Sequence, residues 1–123
     1  MSAVFSDKIP VIDLFAGPGG LAEGFFAYRA RGKRIFKIVL SIEKDRYAHS
    51  TLELRSFFRQ FQEEKIPEEY YAYLRKEISR DMLFARYPVE AEAAKKEAWH
   101  AELGSDDLPA DEVSERIRNV LGD

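Results

Sequence analysis

The chain has 123 residues, enough for one modest domain, and 46% of them are hydrophobic, so a buried core is expected. Its net charge of −3 is not that of a basic nucleic-acid-binding domain, and the lack of cysteine excludes disulfides, thiolate zinc sites and a thiol nucleophile within the chain. It has no apolar stretch long enough to span a bilayer and no secretory signal at its start, so we expect a cytoplasmic protein with no membrane partner.

The first predicted elements are a strand over residues 9–15, a turn rich in glycine, and a helix over residues 21–31. The strand is short and apolar except for Asp13, whose burial would be costly without a hydrogen bond or a function. Three glycines and one proline fill positions 17–20, where the backbone can adopt positive φ and admit a ligand. Leu21, Phe25 and Tyr28 then follow a helical period, with Gly32 as the expected stop. A strand, a glycine turn and a helix in this order typically bind a nucleotide-like ligand.

Two readings of this turn compete. Residues 17–22 formally match the G-x-G-x-x-G/A fingerprint of dinucleotide-binding domains, although Asp13 takes a position that is usually apolar there. The longer string from Asp13 to Gly20, D-L-F-A-G-P-G-G, resembles the S-adenosylmethionine loop of DNA (cytosine-5) methyltransferases. The resemblance implies an α/β, Rossmann-like, doubly wound sheet and S-adenosylmethionine as the cofactor. It places the methionine end of the cofactor against Phe15, Ala16, Gly17, Gly19 and Gly20.

A second predicted strand, residues 35–42, is rich in β-branched side chains and ends at Glu43. An acid about 20 residues after the glycine turn suits the hydroxyls of a ribose, because a carboxylate can accept two hydrogen bonds. Residues 43–48, E-K-D-R-Y-A, resemble the second motif of the same family, in which the glutamate binds the cofactor ribose. The next residue there is often large and apolar and contacts the adenine, whereas here it is Lys44.

Two further patterns concern the surface and the core of the predicted helices. Five basic side chains fall within residues 29–37, and we interpret them as cations at a helix C-terminus and a solvated turn, with a phosphate-binding patch as the alternative. Asp45 is the expected N-cap of a helix whose core-facing stripe is predicted as Tyr47, Thr51, Leu54, Phe58 and Phe61. His49 lies off this stripe and is predicted to be at the surface.

The sequence predicts three regions. Residues 1–61 form the cofactor-binding βαβα portion, residues 62–100 a helical insertion, and residues 101–123 a third-strand region with a short final helix. Tyrosines 70, 71 and 73 are predicted to cover the core of the insertion rather than to stack on bases. In the family, residues of the third strand contact the adenine, and Glu102 is a weak candidate for that contact.

Methyl transfer to carbon 5 of cytosine uses a cysteine nucleophile in this family, and this chain has none. We therefore interpret the chain as the N-terminal cofactor-binding portion of such an enzyme, inactive by itself, with DNA bound through other parts of the protein. An incomplete sheet would expose a strand edge, so self-association is expected. The alternatives are a nicotinamide dinucleotide domain of an oxidoreductase and a non-catalytic remnant that binds a ligand or partner.

Overall fold

The computed structural model describes residues 7–122, and within them a parallel three-stranded sheet organises the chain. The strands and helices follow in this order: β1 (Ile9–Asp13), α1 (Gly20–Ala27), β2 (Arg29–Ala30), β3 (Lys33–Arg34), β4 (Phe36–Glu43), α2 (Arg46–Arg59), α3 (Glu68–Leu74), α4 (Arg80–Arg86), α5 (Pro88–Glu97), β5 (Ala98–His100) and α6 (Ala110–Leu121). A 3₁₀ turn at Glu63–Lys65 precedes α3. No helix of this part of the chain is long and apolar enough to cross a membrane.

The sheet has the strand order β1-β4-β5, with both pairs parallel. The central strand β4 is buried along Ile38, Leu40, Ser41 and Ile42, as a strand with neighbours on both sides requires. Since all three strands run the same way, their carboxyl ends meet at one edge of the sheet. Asp13, Glu43 and His100 are the last residues of the three strands and therefore lie at that edge.

The predicted core-facing stripe of α2 is wrong, because the helix buries an adjacent face. The residues of α2 that the fold buries are Leu52, Ser56 and Phe57, whereas Tyr47 is 74% exposed and Thr51 is exposed. Leu54, Phe58 and Phe61 are half-buried. Apolar side chains lie on two adjacent faces of this helix, and the small Ser56 belongs to the face that packs most closely.

Helices α2, α4 and α5 share a buried cluster, which supports the sequence interpretation of tyrosines 70, 71 and 73. Phe57 of α2 and Leu83 of α4 are fully buried there, together with two alanines of α5, Ala91 and Ala94. Tyr70 and Tyr73 pack against this cluster, and Phe57 stacks on Phe84 with ring centroids 4.7 Å apart. The aromatic residues of 70–73 are thus mainly packing residues, with Tyr71 the most exposed at 41%.

The first helix is shorter than predicted. α1 ends at Ala27 instead of continuing to residue 31, and the chain turns into an antiparallel hairpin of β2 and β3. Gly32 does not stop a helix; it shares the hairpin turn with Arg31, and both have positive φ, of 78° and 54°. The interpretation of residues 29–37 as cations at a helix C-terminus is therefore wrong.

The third strand is also earlier than predicted. β5 occupies Ala98–His100, inside the stretch expected to be helical, and it follows α5 directly. The change from helix to strand at residue 98 was not predicted, because residues 90–98 have a helix-forming composition. A strand of three residues is also too short to show an alternating pattern. The small side chain of Ala98 packs with Ala16 and Leu52 beneath the sheet edge.

Candidate functional site

The glycine loop, Gly17–Gly20, is folded back over the carboxyl end of β4. The N–H of Ala16 donates to the carbonyl of Ile42 at 3.0 Å, and the N–H of Gly19 donates to the carbonyl of Ala16 at 3.1 Å. Ala16 is buried as a result, with 7% of its surface exposed. These backbone hydrogen bonds fix the loop next to the tip of the neighbouring strand.

Two positions of the loop require glycine. Gly17 and Gly19 have φ of 58° and 97°, in the left-handed region that other residues rarely adopt. A Cβ at Gly19 would also lie 3.1 Å from Cδ1 of Leu52, so the loop packs tightly on α2. A Cβ at Gly20 would meet no protein atom within 4 Å, so that side of the loop faces open space.

Glu43 joins the glycine loop to the turn after β4. Its Oε1 accepts a hydrogen bond from the N–H of Gly17 at 2.9 Å, and its Oε2 accepts one from the N–H of Asp45 at 2.8 Å. An ionised carboxylate has about four acceptor positions, so two remain after these bonds. The residue predicted to bind the ribose is thus held at the loop and keeps the capacity to accept two hydroxyl groups.

Backbone donors are available beside this carboxylate. α1 begins at Gly20, and its first backbone hydrogen bond runs from the N–H of Glu23 to the carbonyl of Gly19 at 3.0 Å. The N–H groups of the three residues before Glu23 therefore point out of the helix start. Such groups favour an anion, and a carboxylate group of a ligand fits them.

A cavity of about 170 Å³ opens between the residues just before the glycine loop and the segment after β5. Three residues named from the sequence as cofactor-binding, Phe15, Glu43 and Lys44, line it, together with Leu14, Ile42, Ala101, Glu102 and Leu103. Phe15 is 81% exposed, an unusual state for a phenylalanine beside a buried strand. Ala16 and Gly19 are instead buried, and Gly20 is the first residue of α1, so these residues do not line this cavity.

The cavity is bounded on one side by an ion pair between Lys44 and Glu102. Lys44 Nζ lies 3.6 Å from Glu102 Oε1, and both side chains are more than half exposed. Glu102, a weak candidate for the adenine contact, therefore lies at the same cavity as Glu43. The pair also borders a wider groove that Trp99, Asp107 and Glu112 help to line.

Asp13 lies beneath the loop, at the end of β1. Burial raises the pKa of its carboxyl group, the N–H of Phe15 opposes this by hydrogen bonding, and the negative charge of Glu43 adds to the rise. Its Oδ2 is buried without a hydrogen-bond partner, and so is Oγ of Ser41, its cross-strand neighbour on β4. A carboxyl group in this environment costs stability when it is ionised.

Two histidines contribute to this edge and were missed by the sequence analysis. His49, predicted to be at the surface, is half-buried, and its Nε2 lies 2.9 Å from the carbonyl of Ala98. Nε2 of His100 lies 2.9 Å from the carbonyl of Lys44, and the two imidazole rings stack with centroids 4.9 Å apart. Because a carbonyl only accepts, each Nε2 carries the proton. No sequence signal pointed to this pair, since it depends on β5.

The site offers groups that can bind a ligand. It combines backbone N–H donors, one anchored carboxylate and an exposed aromatic ring, which fit the carboxylate, ribose and base of a nucleoside-like ligand. Within residues 7–122 no group of three or more histidine, aspartate or glutamate side chains is arranged to hold a metal ion. The chain also has no cysteine to act as a nucleophile.

Comparisons with known proteins show which family the chain belongs to. The family model of the C-5 cytosine-specific DNA methylases matches residues 9–90. The type II methyltransferase M.Bpa9945I of Bacillus paralicheniformis is 36% identical over 102 residues, which cover 77% of this chain and 22% of that protein. The chain thus spans about a fifth of the length of this relative. No solved structure matches the chain. The parallel sheet and its helices are consistent with an incomplete methyltransferase Rossmann-like fold, and the chain belongs to the C-5 cytosine-specific DNA methylase family.

Proposed function

We propose that this chain is the S-adenosylmethionine-binding portion of a DNA cytosine-5 methyltransferase, with the cofactor at the glycine loop and Glu43. The observation that supports this most directly is the hydrogen bond from Gly17 N–H to Glu43 Oε1, which joins the two motifs at one place. S-adenosylmethionine would supply an activated methyl group on a sulfonium. The residues of this chain would bind and orient it.

The proposal assigns a role to each end of the site. The glycine loop and the start of α1 would bind the methionine carboxylate, with Phe15, Ala16, Gly17, Gly19 and Gly20 shaping that end. Glu43 would accept hydrogen bonds from the ribose hydroxyls. The cavity of about 170 Å³ is smaller than a typical ligand site of roughly 300 Å³ or more, so this chain would enclose only part of the cofactor.

Lys44 and Glu102 would lie at the adenine side. Their ion pair closes one side of the cavity, where the family often has a large apolar residue. The alkyl part of a lysine can cover an apolar surface while its ammonium stays in water. Lys44 would therefore contact the adenine through its methylene groups.

The substrate proposal follows from the family. The parent protein would methylate carbon 5 of cytosine in DNA, as part of a restriction–modification system in the cytoplasm, with most DNA contacts made outside this chain. We expect no methyl transfer by the 123-residue chain itself, because it lacks a cysteine nucleophile. Incorporation of labelled methyl groups into DNA by the purified chain would contradict this.

The open edge of the sheet supports a proposal about assembly. β1 pairs with β4 on one side only, and β5 pairs with β4 on the other, so both outer edges lack a strand among the described residues. Unpaired strand edges favour association with a further strand. We expect the chain to self-associate in sedimentation velocity experiments, whereas a monomer at high micromolar concentration would argue against it.

Calorimetric titration tests the cofactor site. S-adenosylhomocysteine should bind the chain and NAD⁺ should not, and Glu43→Gln should weaken binding by about 10- to 100-fold, as expected for hydrogen bonds to a charged group. Glu115→Gln is the matched control, because Glu115 is an exposed carboxylate on α6, away from the loop. Binding of NAD⁺ instead would favour the dinucleotide alternative, and binding of neither ligand would favour a remnant.

A further inference from the structure

The basic segment of residues 29–37 has no role in the site at the carboxyl edge of the sheet. Its expected explanation, cations that stabilise the end of a helix, does not hold, because α1 ends at Ala27 and has no basic residue in its last turn. No acidic residue occurs between positions 24 and 42 of the sequence. The segment therefore concentrates positive charge that the end of α1 does not explain.

The hairpin formed by β2 and β3 holds these cations in a fixed arrangement. Its two turn residues, Arg31 and Gly32, both have positive φ, the geometry of a type I′ turn. Arg29 closes the turn, with Nη1 donating to the carbonyl of Gly32 at 3.1 Å and Nη2 to Glu63 at 3.1 Å. These hydrogen bonds hold the hairpin in a defined conformation.

A second arginine fixes the hairpin to α1. Nη1 of Arg34 donates to the carbonyl of Phe26 at 2.6 Å, and its guanidinium lies 3.9 Å from the centre of the Phe26 ring. Two of the five cations thus anchor the hairpin. The other three, Arg31, Lys33 and Lys37, are exposed and form no ion pair or side-chain hydrogen bond with residues 7–122.

The position of these three cations separates them from the cofactor site. The hairpin immediately precedes β4, at the amino end of that strand, and Glu43 is at its carboxyl end. Eight residues of extended chain span roughly 25 Å. A ligand of the hairpin therefore contacts a different part of the molecule from a ligand of the glycine loop.

We propose that the hairpin Arg29–Arg34, with Lys37, is a contact surface for the phosphate backbone of duplex DNA. Exposed lysine and arginine side chains on a rigid two-stranded ribbon suit phosphate groups, and such a ribbon fits a DNA groove. An acidic protein surface is less suited, since the centre of a protein interface is depleted of charge and enriched in aromatic residues. The exposed part of the hairpin offers only charged side chains and glycine.

Fluorescence anisotropy with the 123-residue chain and a labelled duplex of about 20 base pairs tests this surface. The triple variant Arg31→Gln, Lys33→Gln, Lys37→Gln should reduce affinity at low salt by about tenfold or more. It should also reduce the steepness of log K against log salt by about 2 to 3, since each phosphate contact contributes about 0.9.

The matched control removes three exposed cations elsewhere: Lys65→Gln, Lys96→Gln and Arg118→Gln. It changes the net charge equally and should keep the salt dependence of the unmodified chain.

An equal loss of duplex affinity in both variants, or no duplex binding by the unmodified chain, would overturn the proposal. Loss of self-association in sedimentation velocity without loss of DNA binding would also overturn it and assign the hairpin to a contact with a second copy of the chain. Binding of S-adenosylhomocysteine by the hairpin variant should be unchanged, which separates this test from that of the cofactor site.

Discussion

The Glu43 carboxylate and the backbone N–H of Gly17 lie 2.9 Å apart, although 26 positions separate them in the sequence. The parallel pairing of β1 with β4 makes this possible, because it places the ends of the two strands side by side. The glycine conformation at position 17 then turns the N–H towards the carboxylate. The hydrogen bond preorganises the site, so a ligand would not need to order either group on binding.

Substitutions at the two neighbouring glycines should have opposite effects on stability. Gly19→Ala places a Cβ 3.1 Å from Leu52 at a φ of 97°, so we expect a loss of about 2 kcal/mol in the free energy of unfolding. Gly20→Ala, at the start of α1 and with open space around it, should be neutral or stabilising by up to about 1 kcal/mol. Urea denaturation measures both.

The same pair tests the proposed use of the loop. Although Gly20→Ala should fold at least as well as the unmodified chain, its methyl group would occupy space at the proposed methionine end. We therefore expect weaker binding of S-adenosylhomocysteine by this variant in calorimetry. Unchanged affinity in Gly20→Ala would show that the ligand does not approach the start of α1.

The features of the site that could be predicted from the sequence are those that depend on a residue and its neighbours along the chain. Positive φ at Gly17 and an acid at the end of a strand both follow from residue type and position, and the Asp45 N-cap was also found, with its Oδ2 2.8 Å from the N–H of Ala48. A short final helix was also predicted, and α6 ends at Gly122, which has a φ of 84°.

The features that were missed depend on tertiary contacts. Arginine rarely adopts positive φ, so Arg31-Gly32 gave no hairpin signal, and the helical pattern of α1 was extended too far. The buried face of α2 was misassigned because α4 and α5 cover Phe57, which no periodicity within α2 could show. β5 has three residues and is identified only by its pairing with β4, and the His49–His100 stack follows from it.

The partly buried carboxyl group of Asp13 should make stability depend on pH. Because its pKa is raised in the folded state, the folded chain binds this proton more tightly than the unfolded chain. Stability from this group is then present at low pH and is lost as pH rises from the unfolded value, near 3.8, through the folded pKa. Asp13→Asn removes the ionisation, so its stability relative to the unmodified chain should be more favourable at pH 7 than at pH 4.

Urea denaturation at the two pH values measures this difference. Ser41→Ala is the control, since it removes the neighbouring buried hydroxyl, which also lacks a hydrogen-bond partner, without removing a charge. Its effect on stability should be the same at both pH values. An Asp13→Asn effect independent of pH would show that the ionisation of Asp13 does not limit stability.

Arg59 should be one of the most sensitive positions for stability. Its side chain is only 4% exposed, and it pairs with Glu23 of α1 and, at 2.6 Å, with Glu97 of α5. Removal of one partner from a buried ion pair typically costs about 3–5 kcal/mol, so Arg59→Met should lose most of the stability of a small domain. Thermal denaturation followed by circular dichroism measures the loss.

Two further variants separate charge from geometry at Arg59. Arg59→Lys keeps the charge but lacks the forked guanidinium that reaches both glutamates, so it should be intermediate. Adding Glu97→Gln to Arg59→Met removes the carboxylate that would otherwise remain buried without a cation, and part of the stability should return. Additive losses in the double variant would show that the two side chains do not stabilise each other.

Lys44 offers a test of the adenine side of the proposed site. It lines the cavity, and its ion pair with Glu102 is well exposed, so loss of the pair should change stability by less than about 1 kcal/mol. In Lys44→Trp, an aromatic ring would replace the lysine at the position where the family often has one. Stacking on a base is worth about 1 kcal/mol, so S-adenosylhomocysteine should bind roughly fivefold more tightly.

Lys44→Met distinguishes stacking from simple removal of the ammonium group. It removes the ion pair without adding a ring, so its affinity for S-adenosylhomocysteine should lie between those of the unmodified chain and Lys44→Trp. Adenosine, which lacks the methionine end, should show the same order in calorimetry, because the contact is to the base. If Lys44→Trp weakens the binding of both ligands, the adenine does not lie against this residue, and the base must occupy another part of the edge.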